Sequence, residues 1–183
     1  MRAKNYGESL LLLLDIADEL NNLKIPYAVI GAAAVSVYGL PRASLDADAV
    51  IQIERGEENK FCIALKKKGI VTELRKGACD DPISTVIKAK DKYGNRVDLL
   101  SGIRSVKHDI FSRAKKVKFR KDFLTVTAPE DLIVMKALAG SYQDIEDIKG
   151  IIQVWGKKLD KTLLREIIAG YGKRIQKKIS SLL

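Results

Sequence analysis

The chain has 183 residues, of which 46% are hydrophobic and 31% charged, and its formal net charge is +10. Because domains most often contain about 100–150 residues, we expect one compact α/β unit with a helical appendage. No stretch approaches the roughly 20 apolar residues of a membrane helix, and no signal-peptide pattern is visible. We therefore expect a cytoplasmic protein with no membrane partner. Cys62, Cys79 and His108 are too few and too scattered for a Cys/His zinc site, and we interpret His108 as a surface residue.

The positive charge is concentrated in two stretches. Residues 104–121 contain eight Lys or Arg against one Asp, and residues 156–183 contain eight against two acids. Such stretches attract polyanions, such as RNA, DNA or anionic cofactors, through phosphate contacts and counterion release. A solvated, lysine-rich exterior is the alternative that charge alone leaves open.

The first half of the chain predicts helices and strands around a glycine turn. Leucine and isoleucine recur at helical spacing over residues 8–23, which predicts an amphipathic helix. Residues 27–30 predict a buried strand, and Gly31 gives the backbone the freedom to turn into a short helix over 32–38. After a loop, residues 46–53 predict the next strand.

The next segment predicts a helix over 57–68 and a strand over 70–74. Residues 84–89 and 96–100, joined by a Gly-Asn turn, predict a β-hairpin, and residues 116–126 predict one or two further strands. From residue 128 the pattern is helical to the end. Pro129, followed by two acids, is typical of a helix N-terminus, so we place a boundary near Thr127.

A pair of aspartates, Asp46 and Asp48, stands on one of these strands. Side chains alternate along a strand, so both carboxylates project from one face while Ala47 and Ala49 point into the core. Asp98 lies on the second strand of the predicted hairpin. Neighbouring carboxylates repel each other, and a hard divalent cation such as Mg²⁺ or Mn²⁺ relieves that repulsion. The residue types therefore indicate phosphoryl chemistry at a two-metal site.

The order of a strand, the Gly31 turn, a helix, the Asp46-x-Asp48 strand and a later Asp98 resembles the nucleotidyltransferase superfold. Residues 27–48, with Arg42-x-Ser44 ahead of the paired acids, are similar to the opening motif of the abortive-infection (AbiEii-like) nucleotidyltransferases.

Downstream, residues 129–139, followed by Asp144 and Asp147, resemble that family's helical motif. The resemblance implies an α/β (α+β) fold with a mixed β-sheet and flanking helices. It implies a nucleotidyltransferase-like catalytic domain over 1–127 and a C-terminal helical region over 128–183.

In the resembled mechanism, Asp46 and Asp48 hold two metal ions, Mg²⁺ or Mn²⁺, and Asp98 completes the shell of one of them. These three acids are the expected catalytic residues.

The resemblance also implies a set of nucleotide-binding residues. The turn at Gly31 and Ala32 offers backbone N–H groups to phosphates, as helix N-termini do. Arg42 is expected to clamp a phosphate. The other expected positions are Ser44, Lys136 and Asp144, with Asp131 and Asp147 as weaker candidates.

These residues together predict transfer of a nucleoside monophosphate from an NTP such as ATP to a hydroxyl acceptor. RNA, tRNA, a protein side chain and a small molecule such as an aminoglycoside all stay open as acceptors. The resemblance implies a toxin–antitoxin role with an antitoxin protein as partner.

Two alternatives stay open. Ala32 stands where the family has a second Gly or Ser, and Ser141 where it often has arginine, so the chain could be a catalytically weakened module that binds nucleic acid or a partner protein. A metal-dependent nuclease could use the same acids, but it has no use for the phosphate turn at Gly31. Trp155 is expected in the core of the helical region, and Lys136 could simply extend its amine to solvent along an apolar helix.

Overall fold

The computed structural model describes residues 1–104, 106–107 and 109–182, so the surface prediction for His108 lies outside the described residues. In chain order the helices and strands are α1 (Ser9–Asn22), β1 (Tyr27–Ile30), α2 (Gly31–Tyr38), β2 (Asp46–Ile51), α3 (Glu58–Lys67), β3 (Val71–Lys76), β4 (Ile83–Lys90), β5 (Arg96–Ile103), α4 (Ile110–Arg113), β6 (Lys115–Phe119), β7 (Asp122–Val126), α5 (Pro129–Ala139), α6 (Tyr142–Trp155), a 3₁₀ turn (Gly156–Lys158), α7 (Lys161–Ala169) and α8 (Lys173–Ser180).

The strands form one seven-stranded sheet in the order β3-β4-β5-β2-β1-β7-β6. β2 runs parallel to β5 and β1 parallel to β7, while β1 and β2 are antiparallel and β4 is antiparallel to both β3 and β5. The mixed sheet with flanking helices confirms the predicted fold class. The predicted hairpin is β4–β5, and the stretch 116–126 forms two strands, β6 and β7.

The alternation predicted for β2 decides which face of the sheet is which. Ala47, Ala49 and Ile51 are buried in the main core together with α1 and α3, which contribute Leu13 and Phe61 among others. The opposite face carries Asp46 and Asp48 at one end of the strand and a smaller apolar cluster at the other, formed by Ala28, Ile30, Val50 and Ile110. The acids therefore lie at the end of this second face that the smaller apolar cluster does not cover.

The C-terminal helices pack onto the sheet and onto each other. β7 ends at Val126 and α5 begins at Pro129, and α5 contacts α6, α7 and α8. Leu132 of α5 and Ile148 of α6 belong to the same buried cluster as the sheet residues. A separate helical domain beginning at residue 128 therefore stays a proposal.

Trp155 lies at the margin of this core. It is partly buried, and its ring meets that of Tyr38 edge-on with centroids 5.3 Å apart, as expected for a packing residue. Among the described residues, no helix has the length and apolar character needed to span a membrane.

Candidate active site

Strand pairing brings the three predicted catalytic acids side by side. In the parallel pair β2–β5, Asp48 lies directly opposite Asp98, and Asp46 lies opposite Arg96. Directly opposed residues share a face of the sheet, and so do residues two apart on one strand. Asp46 is exposed, whereas Asp48 and Asp98 are half-buried.

Two of the three carboxylates, Asp48 and Asp98, have raised pKa values. Burial raises the pKa of Asp48, and the charges of Asp98 and Asp46 raise it further, against smaller opposing effects of Lys136 and Arg42. Burial also raises the pKa of Asp98; the charge of Lys88 opposes that rise, and the charge of Asp46 adds a smaller increase. Within the described part of the chain, none of the three carboxylate groups accepts a hydrogen bond or forms an ion pair. The three carboxylates therefore form a crowded, negatively charged cluster that receives no hydrogen bond from the described part of the chain.

Gly31 lies against this cluster at the start of α2. Its φ of +65° lies in the left-handed region, and a Cβ atom there would collide with Oδ2 of Asp48 and lie 3.1 Å from its Cγ. Only glycine lets the backbone turn this close to the carboxylate. The first N–H groups of α2, starting at Gly31 and Ala32, have no partner within the helix and are oriented as an anion site.

The donor chemistry fits a divalent cation. Asp46, Asp48 and Asp98 provide hard oxygen ligands whose mutual repulsion a cation such as Mg²⁺ or Mn²⁺ would relieve. Among the described residues, no three carboxylate, thiol or imidazole groups lie close enough together to hold a metal ion. Cation binding therefore requires the side chains of Asp46, Asp48 and Asp98 to move closer to each other.

A second charged group links the loop after α2 to the C-terminal helices. Asp147 accepts a hydrogen bond from Nε of Arg42 at 3.1 Å and pairs with Nζ of Lys136 at 2.8 Å, and Lys136 also pairs with Asp144 at 2.9 Å. The Asp147 side chain is only 3% exposed. Lys136 is 11% exposed, so its amine is held by two acids and does not extend to solvent.

The pKa shifts of this network show how strongly its charges depend on each other. Burial alone would lower the pKa of Lys136, but the bonds to Asp147 and Asp144 outweigh burial and raise it. Burial would raise the pKa of Asp147, yet its bonds to Lys136 and Gln143 lower it below the usual range. The network therefore favours the ionised forms of Lys136, Asp144 and Asp147. Its cations also attract the carboxylate of Asp48, which connects the network to the three acids.

The remaining predicted residues have local structural contacts. Ala32 is buried and has no polar side-chain atom, and Ser44 donates from Oγ to the backbone oxygen of Asp46 at 2.9 Å. Asp144 also caps α6 through a reciprocal pair of hydrogen bonds with Ser141. Ser141, which stands where the resembled family often has arginine, is thus the N-cap of α6.

The structure distinguishes the two weaker candidates for nucleotide binding, Asp131 and Asp147. Asp131 is bound by Arg113 through two hydrogen bonds of 2.7 and 2.6 Å and does not join the cluster. Asp147, a weak candidate from the sequence, is the residue that joins Arg42 to Lys136. The sequence does not reveal that the Asp147 side chain is buried, and helical spacing alone does not distinguish Asp147 from the neighbouring acids.

Two cavities flank the acids. An apolar cavity of about 520 Å³ has Gly31, Lys136 and Asp144 at its polar side and mostly apolar residues elsewhere. A second cavity of about 380 Å³ has a mixed lining, which includes Ala32, Ser36, Arg42, Ser44, Asp46 and Arg120. The three acids thus have a nucleoside-sized apolar space on one side and a space of mixed lining on the other, where Arg42 and Arg120 are accompanied by Glu8 and Asp46.

Replacing Asp147 with asparagine is expected to lower the free energy of unfolding by about 3 kcal/mol near neutral pH, because Arg42 and Lys136 lose a buried anion. The folded-state pKa of Asp147 is lowered, so its stabilising effect exists above the unfolded-state pKa and is lost as pH falls through the folded-state pKa. Urea unfolding at about pH 7 and about pH 3 measures both effects.

The matched control for this substitution is Asp18→Asn, whose carboxylate is 49% exposed and pairs with Arg2. It should cost less than about 1 kcal/mol. An equal loss for Asp147→Asn at both pH values would contradict the electrostatic explanation and indicate a packing effect.

The fold and the position of the acids define the class of protein as nucleotidyltransferase-like. The antibiotic-resistance factor ANT(2″)-Ia in complex with adenylyl-2″-tobramycin superimposes with a TM-score of 0.61 at 11% identity, over 88% of this chain and 97% of that one. A putative nucleotidyltransferase from Thermotoga maritima gives 0.57 at 17% identity, over 85% and 97%. The lincosamide adenylyltransferase LnuA, bound to lincomycin, gives 0.54 at 13% identity, over 83% and 99%. At such identities these likenesses establish the fold alone.

The sequence itself gives the family. The model of a family described as nucleotidyl transferase of unknown function (DUF2204) matches residues 69–182, more than half of the chain, and the chain belongs to this family. A search of the curated proteins gave no significant match. The predicted nucleotidyltransferase relationship is confirmed, and the narrower resemblance to the AbiEii-like family stays a prediction. The matched segment contains Asp98, Lys136 and Asp147, while Gly31 and the Asp46–Asp48 pair precede it.

Proposed function

We propose that the protein transfers a nucleoside monophosphate from an NTP to a hydroxyl acceptor, with Asp46, Asp48 and Asp98 as catalytic residues. The observation that carries this proposal is the alignment of the three unpaired carboxylates on one face of β2 and β5, next to the N-terminus of α2. The start of α2 would bind a phosphate chain, and a divalent cation held by the three carboxylates would neutralise its charge.

The chain's own residues would bind and orient the reactants. When bound, Mg²⁺ or Mn²⁺ held by the three aspartates would supply Lewis-acid polarisation of the α-phosphate and neutralise charge on the leaving group. Backbone N–H groups of Gly31 and Ala32 would donate to phosphate oxygens, and Arg42 would add positive potential from the second cavity.

The transfer balances as a single displacement. The acceptor hydroxyl oxygen bonds to the α-phosphorus, the bond from that phosphorus to the bridging oxygen of the β-phosphate breaks, and pyrophosphate leaves with the bonding electrons. Asp98 would take the hydroxyl proton, because its carboxylate is half-buried beside Asp48 and forms no hydrogen bond within the described chain.

The apolar cavity supports a position for the nucleoside. It reaches Gly31 and Lys136, so a base among its apolar walls would leave the phosphates near the start of α2. Two structurally similar proteins are named as an adenylyltransferase or by an adenylylated product, so ATP is the first donor to test. Their acceptors are antibiotics, and RNA, tRNA or a protein are further acceptors for this chain. A toxin–antitoxin role with an antitoxin partner is part of the same proposal.

The test is label transfer from each of the four NTPs, radiolabelled at the α-phosphate, in the presence of Mg²⁺ or Mn²⁺. Total RNA, total protein and an aminoglycoside are offered as acceptors in separate reactions. We expect label in one acceptor class, none with chelator, and none with the Asp46→Ala/Asp48→Ala variant. Absence of transfer together with absence of metal-dependent NTP binding by calorimetry would refute catalysis.

That negative result would favour a second function, a module that has kept the fold but binds nucleic acid or a partner protein without catalysis. The side chain of Ala32 offers no hydroxyl to phosphate, and Ser141 caps a helix where an arginine would be free to bind one. These two observations support this alternative.

A further inference from the structure

One face of the sheet beyond Asp98 is open to solvent and rich in cations. The strand register places on this side Val71, Glu73 and Arg75 of β3, Val86, Lys88 and Lys90 of β4, and Arg96 and Leu100 of β5. All of them are exposed except Val86 and Leu100, which are half-buried. We call this surface the open face. The other face of the same strands is covered by α3 and belongs to the core.

The open face is continuous with the catalytic acids. Lys88 lies directly opposite Asp98, in the same row across the sheet as Asp48. Lys90 lies opposite Arg96, and Arg96 lies opposite Asp46 in the adjoining row. Opposed residues have Cβ atoms about 4.5–5.5 Å apart, so the cations begin one strand away from the carboxylates.

Three of these cations form no ion pair within the part of the chain that the structure describes. Among the described residues, Lys88, Lys90 and Arg96 form no ion pair or side-chain hydrogen bond, even though Glu73 lies opposite Lys88. The charges of Lys88 and Arg96 act on Asp98, where they oppose the rise in its pKa. A bound anion would therefore gain from these cations, which form no ion pair among the described residues.

Protection of a sheet edge does not explain these residues. Lysines on edge strands prevent edge-to-edge pairing, but the edges here are β3 and β6. Lys88, Lys90 and Arg96 lie on the interior strands β4 and β5. A second protein is also a poor fit, because the centre of a protein interface is apolar and the only exposed apolar side chain of the open face is Val71, with Val86 and Leu100 half-buried.

We propose that the open face binds the acceptor of the transfer reaction, and that this acceptor is a single strand of nucleic acid whose terminal hydroxyl reaches Asp98. Nucleic-acid binding is dominated by cation contacts to phosphates and needs no apolar centre. A polycationic acceptor would be repelled by the same residues. This inference rests on the proposed function, since it names the acceptor of that site.

The test measures RNA binding separately from catalysis. A short single-stranded RNA with a fluorescein label at its 5′ end is titrated with the protein in chelator, and fluorescence anisotropy is followed at several salt concentrations. The test variant is Lys88→Gln/Lys90→Gln. The control is Lys66→Gln/Lys67→Gln, which removes two exposed lysines from α3 on the opposite side of the same strands.

We expect the test variant to bind RNA at least about tenfold more weakly near 0.1 M salt, with a salt slope shallower by about 1.4, because each lost phosphate contact on a single strand removes about 0.7. The control should bind like the wild type. With NTP and metal present, Lys90→Gln alone, which leaves Lys88 in place opposite Asp98, should show a raised KM for RNA while NTP binding by calorimetry is unchanged.

Equal binding by both variants and the wild type, or transfer to protein or to a small molecule only, would overturn this inference and leave the proposed function intact. RNA binding that depends on Lys88 and Lys90 without metal-dependent NTP binding would refute the proposed function, and with it the acceptor role of the open face. Both variants should retain the wild-type circular dichroism spectrum, because all four lysines are exposed.

Discussion

Asp48→Asn is expected to reduce nucleotidyl transfer by about a thousandfold or more while leaving the protein folded. Asp48 lies between the other two acids, opposite Asp98 and two residues from Asp46, and is the most enclosed carboxylate of the three. Asparagine keeps the shape of the side chain but removes the negative charge and one oxygen that a divalent cation would bind. Single-turnover transfer from a radiolabelled NTP measures the loss.

The same substitution is expected to increase the free energy of unfolding near neutral pH. Burial and like charges raise the folded-state pKa of Asp48 above its unfolded value. Ionisation therefore destabilises the fold as pH rises through the interval between the unfolded and folded values, and this cost persists above it. Asparagine removes the cost, so the urea midpoint should rise near pH 7 and match the wild type at acid pH, where the carboxyl is protonated.

Asp122→Asn is the control, because Asp122 lies on β7 and pairs with Arg2, away from the acids. It should retain transfer and gain no stability. Transfer retained by Asp48→Asn would contradict the catalytic role of Asp48. A lower urea midpoint for Asp48→Asn would contradict the like-charge repulsion and indicate that the ionised carboxylate has a stabilising partner.

The strands and helices could be predicted because their signals are local. Alternation placed Asp46 and Asp48 on one face of a strand, and a turn between two strand patterns placed Asp98 on a hairpin. The contact between the two groups could not be predicted in this way. It depends on the parallel pairing of β2 with β5. These two strands are separated along the chain by α3, β3 and β4, and no local sequence pattern specifies that β5 is the neighbour of β2.

The network around Asp147 shows the same limit. Its bond to Arg42 joins residues 105 positions apart, and the sequence offered only a loop cation and one of several acids on a helix. The solvent-exposed conformation considered for Lys136 was wrong because two acids of α6 meet its amine in the interior. Burial of a charged side chain is a property of tertiary packing, which helical spacing does not reveal.

The open face could not be predicted from the sequence, because its residues come from different strands. Charge counting along the chain singled out residues 104–121 and 156–183, where Lys and Arg are dense. Lys88, Lys90 and Arg96 come from two strands and are separated by a turn, and only the antiparallel register of β4 and β5 gathers them on one surface. Counting charges along the chain therefore does not detect a basic surface whose residues lie on different strands.

Gly31→Ala is the second substitution with a large expected effect, a loss of transfer of about a hundredfold or more. The alanine would hold a φ near +65°, which L-residues adopt at a cost of about 1–2 kcal/mol. Its methyl group would also collide with the Asp48 carboxylate, which would have to move. A displacement of about 1 Å in a reacting group is enough for a hundredfold loss of rate.

Gly69→Ala separates the two effects. Gly69 follows α3 with a φ of +78°, and a Cβ atom there would meet no atom within 4 Å. Both variants should lose about 1 kcal/mol in urea unfolding, since the backbone cost is similar. Only Gly31→Ala should lose transfer and metal-dependent NTP binding by calorimetry, because only its side chain displaces Asp48. Equal transfer by the two variants would mean that the close approach of Gly31 to Asp48 does not position the carboxylate for catalysis.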